Sequence, residues 1–141
     1  MPVISGSRKL EGSLGVGGSY IAHGLYSFAT DGGAVSDIAL RGDSVIPSGA
    51  VIIDAGIYVD TVLTSGGAAT VAIKSEGAAD INAADAISGA PWSSAGAKRA
   101  DLTATSAPVL TTAARTITAT VATAALTAGK FTVWVEYVVV R

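Results

Sequence analysis

Apolar and polar residues alternate with a period of two through much of the chain. From Val51 to Leu63, Val51, Ile53, Ala55, Ile57, Val59 and Leu63 fall on one side and Asp54, Tyr58 and Asp60 on the other, the pattern of a half-buried strand. Thr70–Lys74 repeats that period after Ser65-Gly66-Gly67, which predicts an antiparallel hairpin. Tyr20–Ala29 and Val35–Leu40 read as two further strands, joined as a hairpin through Thr30-Asp31-Gly32-Gly33. Pro47 and Gly49 turn the chain just before the long strand. Arg115–Thr123 sets Ile117, Ala119 and Val121 against Thr116, Thr118 and Thr120, a threonine row suited to an exposed strand face. In the last segment, 131–141, Phe131, Val133, Val135, Tyr137 and Val139 are the core set. Trp134, Val138 and Val140 make the opposite set apolar as well, so this strand is either central between two layers or buried at a subunit interface.

Two stretches depart from the pattern. Between Ser75 and Ala100 the composition shifts to Ala, Asp, Asn and Gly and reads as a loop excursion, in which 78–87 has the makings of a short helix stopped by Gly89 and Pro91. Ser5–Ser19 mixes Gly and Ser with isolated apolar residues, too little side-chain bulk to bury itself. Residues 1–19 are therefore expected to form an extended arm, anchored to a neighbour by Leu10, Leu14 and Val16 with Arg8 and Lys9 as charge contacts, ahead of a domain over 20–141. Short strands with Gly-rich turns and hardly any helix indicate an all-β, antiparallel sandwich or jelly roll.

Composition narrows the function. The chain has 141 residues, room for one core and no separate catalytic module. Its apolar half is mostly Ala and Val. Only 14% of residues are charged, with a net charge of -2, so the cationic surface that displaces counterions from nucleic acid is missing and no nucleic-acid partner is expected. So few charges with so much apolar residue argue that part of the exterior is covered in a homo-oligomer. There is no cysteine, which removes disulfides, thiolate catalysis and Cys-ligated zinc. The N-terminal residues lack the apolar centre of a signal peptide, and no stretch approaches the ~20 apolar residues that span a bilayer. The expectation is a protein made in a cytoplasm and without a membrane partner.

Candidate chemistry is sparse. His23 is the single histidine, so neither a His-based zinc site nor a two-His iron site can be assembled within one chain, and no Gly-x-Ser-x-Gly elbow frames a serine. Gly12–Gly18 superficially matches a phosphate loop but has no strand before it and no Gly-Lys-Ser/Thr ending. The aspartates, Asp31 to Asp85, show no calcium-loop spacing and read as solvated turn residues. No catalytic residue, metal ligand, cofactor or small-molecule substrate is expected. Trp92, in Gly89-Ala90-Pro91-Trp92-Ser93-Ser94, is either a lid over the end of the sandwich or an interface anchor, and Trp134, Tyr20, Tyr26 and Tyr58 are aromatic contact candidates of the same kind. Exposed aromatics also admit a sugar-binding surface.

The run from Val45 to Arg141 has a layout of its own: Val45-Ile46-Pro47-Ser48-Gly49-Ala50-Val51-Ile52, a strand, Gly-Gly-Ala-Ala-Thr-Val-Ala-Ile, an Ala/Asp-rich loop, a Thr/Ala strand, and Thr127-Ala128-Gly129-Lys130-Phe131-Thr132-Val133-Trp134-Val135-Glu136-Tyr137. It resembles the capsid decoration, or cement, proteins of tailed bacteriophages, which have a jelly-roll-like β fold. The likeness covers about two thirds of the chain and lies in pattern and order, with no residue-level binding motif to carry over. It implies a structural virion protein, favoured as a trimer, on the outside of the capsid, clamping neighbouring major capsid subunits. The arm over 1–19 would then cross a subunit boundary. Burying Leu10, Leu14 and Val16 there would contribute roughly 1.5–3 kcal/mol each before ordering costs. The rival reading is a tail-associated or secreted glycan-binding β-sandwich module.

Overall fold

The computed structural model describes residues 18–102 and 107–141. Ten strands and one short helix follow in order: β1 (Tyr20–Ser27), α1 (Phe28–Asp31), β2 (Ser36–Ala39), β3 (Val45–Ile46), β4 (Ala50–Ser65), β5 (Thr70–Lys74), β6 (Asn82–Ala86), β7 (Gly96–Arg99), β8 (Arg115–Thr116), β9 (Thr118–Ala122) and β10 (Leu126–Val139). One four-stranded sheet has the order β1-β10-β4-β7, a second has β2-β9-β5-β6, and β3 pairs with β8. Every pairing is antiparallel. Eight strands that alternate between two sheets in this order form a jelly roll. The all-β sandwich expected from the sequence is therefore the observed fold.

The alternation of side chains explains how the sheets meet. Ala22 and Tyr26 of β1, Ala55, Ile57 and Val59 of β4, and Phe131, Val133 and Val135 of β10 are buried in one cluster with Val71 and Ile73 of β5 and Ala119 and Val121 of β9. These residues share one parity on each strand, as a core between two layers requires. The Ile117, Ala119, Val121 row and the Phe131, Val133, Val135 row are buried as the pattern predicts.

Both predicted hairpins are absent. β1 and β2 lie in different sheets, and so do β4 and β5. An alternating strand reads the same whichever neighbour it pairs with, so its periodicity carries no information about sheet membership. Between β1 and β2 the expected turn is the helical turn α1. The Asp31 carboxylate accepts the Ser27 N–H at 2.8 Å and pairs with Arg41 at 2.9 Å, carrying the chain from one sheet to the other. After β4, Ala69 is buried where the chain crosses the end of the sandwich.

The 78–87 helix is absent too. Asp80 accepts hydrogen bonds from the N–H groups of Ser75, Glu76 and Gly77 and from the Ser75 hydroxyl, closing a turn. Ile81 and Asn82 then enter the interior, and Asn82–Ala86 pairs with β5. Pairing in the sheet overrides the helix preference of the alanines. Along β4 the expected inward row also breaks: Ile53 is exposed, whereas Ala50 and Ile52 are buried. Glu136 pairs with Asp54 but Tyr137 pairs with Ile52, so Ile53 is the extra residue of a β-bulge and the alternation reverses phase there. Val139, expected in the core, is exposed beyond this irregularity.

Candidate interaction surface

The described residues present one conspicuous surface. No group of three or more His, Cys, Asp or Glu side chains among the described residues is placed to hold a metal ion. The surface is the outer face of the β1-β10-β4-β7 sheet. Its outward positions follow from the register: His23, Trp134, Gly56 and Arg99 lie in one row across four strands, and Leu25, Thr132, Tyr58 and Ala97 in the next.

Trp134 is the centre of this face. Its indole crosses the neighbouring strand directly above Gly56, where a Cβ would overlap the ring atoms Cζ2, Cε2 and Nε1. A glycine is needed at that point because the indole lies where any side chain would project. Trp134 thereby covers the strand it crosses and stays half-buried itself, while Tyr58 beyond it is 48% exposed and Ile21 is 54% exposed. Polar pairs border the aromatics. Arg99 donates to Asp54 at 2.6 Å and holds its carboxyl below the usual carboxylate range, and Lys130 lies 3.6 Å from Asp60.

Toward the chain's C-terminal end the same face turns apolar. Val138 pairs with Val51, and Val51 bridges to Leu110 outside the named strands, which sets three aliphatic side chains side by side. The bulge adds Ile53, and Val140 follows two residues after Val138, its N–H bonded to the Gly49 carbonyl at 2.8 Å. Ile53, Leu110 and Val140 are exposed. An aliphatic patch on the outside of a sheet is the kind of surface that a partner covers. The outer face of the second sheet is different: Thr118 and Thr120 line it, and Asp37 there binds Lys74 at 2.6 Å and the Thr120 hydroxyl at 2.7 Å.

The residues singled out from the sequence are distributed as follows. Trp134 stands on the aromatic face. Tyr20 is exposed at the start of β1 and stacks on Tyr137 with ring centroids 5.7 Å apart. Burial and the nearby Asp43 push the Tyr137 hydroxyl up. Tyr20 shares the parity of Ala22 and Tyr26, so the register sets it on the opposite face of the sheet from Trp134. Trp92 is not a contact residue: it is fully buried, packed on Phe131 at 4.9 Å, and its indole N–H donates to the Val71 carbonyl at 3.3 Å. Its loop folds inward because a large aromatic fills space that the surrounding alanines and valines leave open. Tyr26 is likewise buried, stacked on Phe131 at 5.0 Å, with its hydroxyl donating to the Gly32 carbonyl at 2.6 Å. Burial and then the charge of Asp31 push that hydroxyl up to about 12. Arg8, Lys9, Leu10, Leu14 and Val16 lie outside the described residues.

Val51, Ile53 and Leu110 are the surface residues that sequence reading missed. The adjacent apolar pair Ile52-Ile53 and the run Val138-Val139-Val140 are the signals, since a strand solvated on one face has no use for apolar neighbours.

Comparison with solved structures places this architecture. The chain matches one from the "Cyanophage Pam1 capsid asymmetric unit" with a TM-score of 0.64 and 18% identity, over 99% of this chain and 100% of that one. The fold is one found in bacteriophage capsid structures. A second chain, from the "Acidic stable capsid structure of Helicobacter pylori bacteriophage KHP30", matches with a TM-score of 0.54 and 17% identity, over 85% of this chain and 86% of that one. No protein-family profile and no curated protein sequence matches.

Proposed function

We propose that this chain is a structural, non-enzymatic protein of a bacteriophage virion that sits on the capsid exterior and stabilises contacts between major capsid subunits. The observation that carries the reading is the end-to-end match of its fold to a chain of a phage capsid structure, 99% of one chain against 100% of the other. A match over the whole length of both leaves no part of that chain unaccounted for, and at 18% identity it is a likeness of fold. The surface supports the same reading. An aromatic and aliphatic sheet face bordered by ion pairs is the form of a protein interface, in which a few desolvated aromatics carry most of the affinity.

In this reading Trp134, with Tyr58 and Ile21 around it, contacts the capsid or a second protomer, and Tyr20 contributes from the neighbouring edge. The segment 1–19 reaches across a subunit boundary through Leu10, Leu14 and Val16, and Arg8 and Lys9 meet acidic groups. The chain assembles as a homo-oligomer, a trimer being the favoured count, on the lattice of the major capsid protein. Contacts repeated on several lattice subunits raise the effective concentration of each, so modest individual contacts suffice. The function is tested by heating DNA-filled particles stripped of this protein, with and without the purified chain. Added protein is expected to raise the temperature at which DNA is released, and an unchanged release temperature at saturating protein would refute the stabilising role.

A further inference from the structure

The aliphatic patch of Val51, Ile53, Leu110, Val138 and Val140 needs an occupant, and we propose that it is the N-terminal segment of a neighbouring copy of this chain, residues 10–16. The inference rests on the reading of the chain as one that assembles in many copies, and it assigns a seat to the segment.

The Ser19 hydroxyl donates to Glu136 at 2.7 Å, on the same outer face as the patch. Because Tyr20 pairs with Tyr137 in an antiparallel register, Ser19 and Gly18 run toward the end of the sheet that carries Val138 and Val140. Leu10 lies eight residues upstream of Gly18 and reaches up to about 26 Å from it when extended, enough to cross to a copy packed against this end of the sheet. Folding back on its own patch would require a reversal within Gly15-Val16-Gly17-Gly18, which would spend Val16 in the turn.

Two rows of side chains match. Leu10, Leu14 and Val16 all occupy even positions, so an extended backbone presents them on one side with Gly12 filling the gap. The outward row of β10, continued one residue past its end, is Trp134, Glu136, Val138 and Val140, again three apolar residues with one interruption at the second position. Both rows span about 20 Å at roughly 3.3 Å per residue. Placing Gly12 over Glu136 sets no side chain against the carboxylate. Charge is complementary as well: among the described residues Glu136 belongs to no ion pair and receives only the Ser19 hydroxyl, while the segment brings Arg8 and Lys9.

The absence of cysteine from the chain makes the test direct. Two full-length variants, Leu14→Cys and Val138→Cys, carry different affinity tags and are mixed without capsids under mild oxidation. The expected result is a disulfide-linked product bearing both tags, formed several times faster than when Leu14→Cys is mixed with Thr118→Cys, whose cysteine lies on the other sheet. If the mixture yields no such excess while a chain carrying both Leu14→Cys and Val138→Cys closes an internal disulfide, the segment seats on its own copy and the proposal fails. It fails equally if neither forms although circular dichroism and thermal melts show every variant folded. Shell binding is measured separately with the unmodified chain, so loss of the capsid reading and loss of this seat are distinguishable.

Discussion

Two tryptophans in one small chain have opposite fates, and the difference lies in what each ring touches. Trp92 fills the space between Phe131 and the Val71 carbonyl, and Trp134 lies across Gly56 with its far side open. Trp92→Ala is expected to cost about 3–5 kcal/mol in urea denaturation through the cavity it leaves, and Trp134→Ala well under half of that. Equal losses would contradict this division of core and surface. Glu76 gives a pH-dependent counterpart. Its carboxylate accepts two bonds from Arg115 and two from Thr112, which tie the loop after β5 to the segment around β8. The Arg115 guanidinium first, and then the Thr112 hydroxyl and N–H, hold it at about 2 against an ordinary value of 4.5. A carboxyl depressed by folding adds stability above its unfolded value and loses it as pH falls toward the folded one. The melting-temperature gap between wild type and Glu76→Gln should therefore be full near pH 6, shrink from about pH 4.5 downward and close near pH 2. A gap that stays constant over that range would show that the carboxylate's charge is not what matters.

At the scale of the element, β4 shows what alternation can and cannot report. Its middle, Ala55 to Val59, is legible because Ala55, Ile57 and Val59 are buried without interruption on one parity. Its upper half departs from the expected alternation because the Ile53 bulge shifts the phase, and a run of Ala, Val and Ile looks equally apolar in either phase. The bulge makes a sharp prediction. Deleting Ile53 leaves Ala50 and Ile52 inward and Val51 and Asp54 outward with no irregularity, so the fold should survive at a cost of about 1 kcal/mol, roughly 4 °C in Tm. Deleting Tyr58 instead turns one half of the strand inside out, and circular dichroism should show a chain that no longer folds. The Ala/Asp-rich segment was opaque for a related reason. Its alanines favour helix, but Asp80 closes a turn and Ile81 and Asn82 commit the chain to the sheet through burial, which local composition does not reveal. Half of the interaction face was readable, since Trp134, Val138 and Val140 stood out as apolar residues on the wrong side of a strand. The contributions of Val51 and Leu110 depend on strands meeting in space, which no local pattern records.

The molecule as a whole is a jelly roll with one polar outer face and one aromatic and aliphatic face. Its fold recurs in bacteriophage capsid structures. On this account the apolar face is an interface surface that assembly on the capsid requires. The most direct test is co-sedimentation of the purified full-length chain with capsids that lack it, beside a variant carrying Trp134→Ala and Val138→Asp that is shown to remain folded. Saturable binding at a fixed ratio to major capsid protein, clearly weakened in the variant, is the predicted result. A wild-type chain that stays in the supernatant at micromolar concentration, or a variant that binds as well as wild type, would contradict the account.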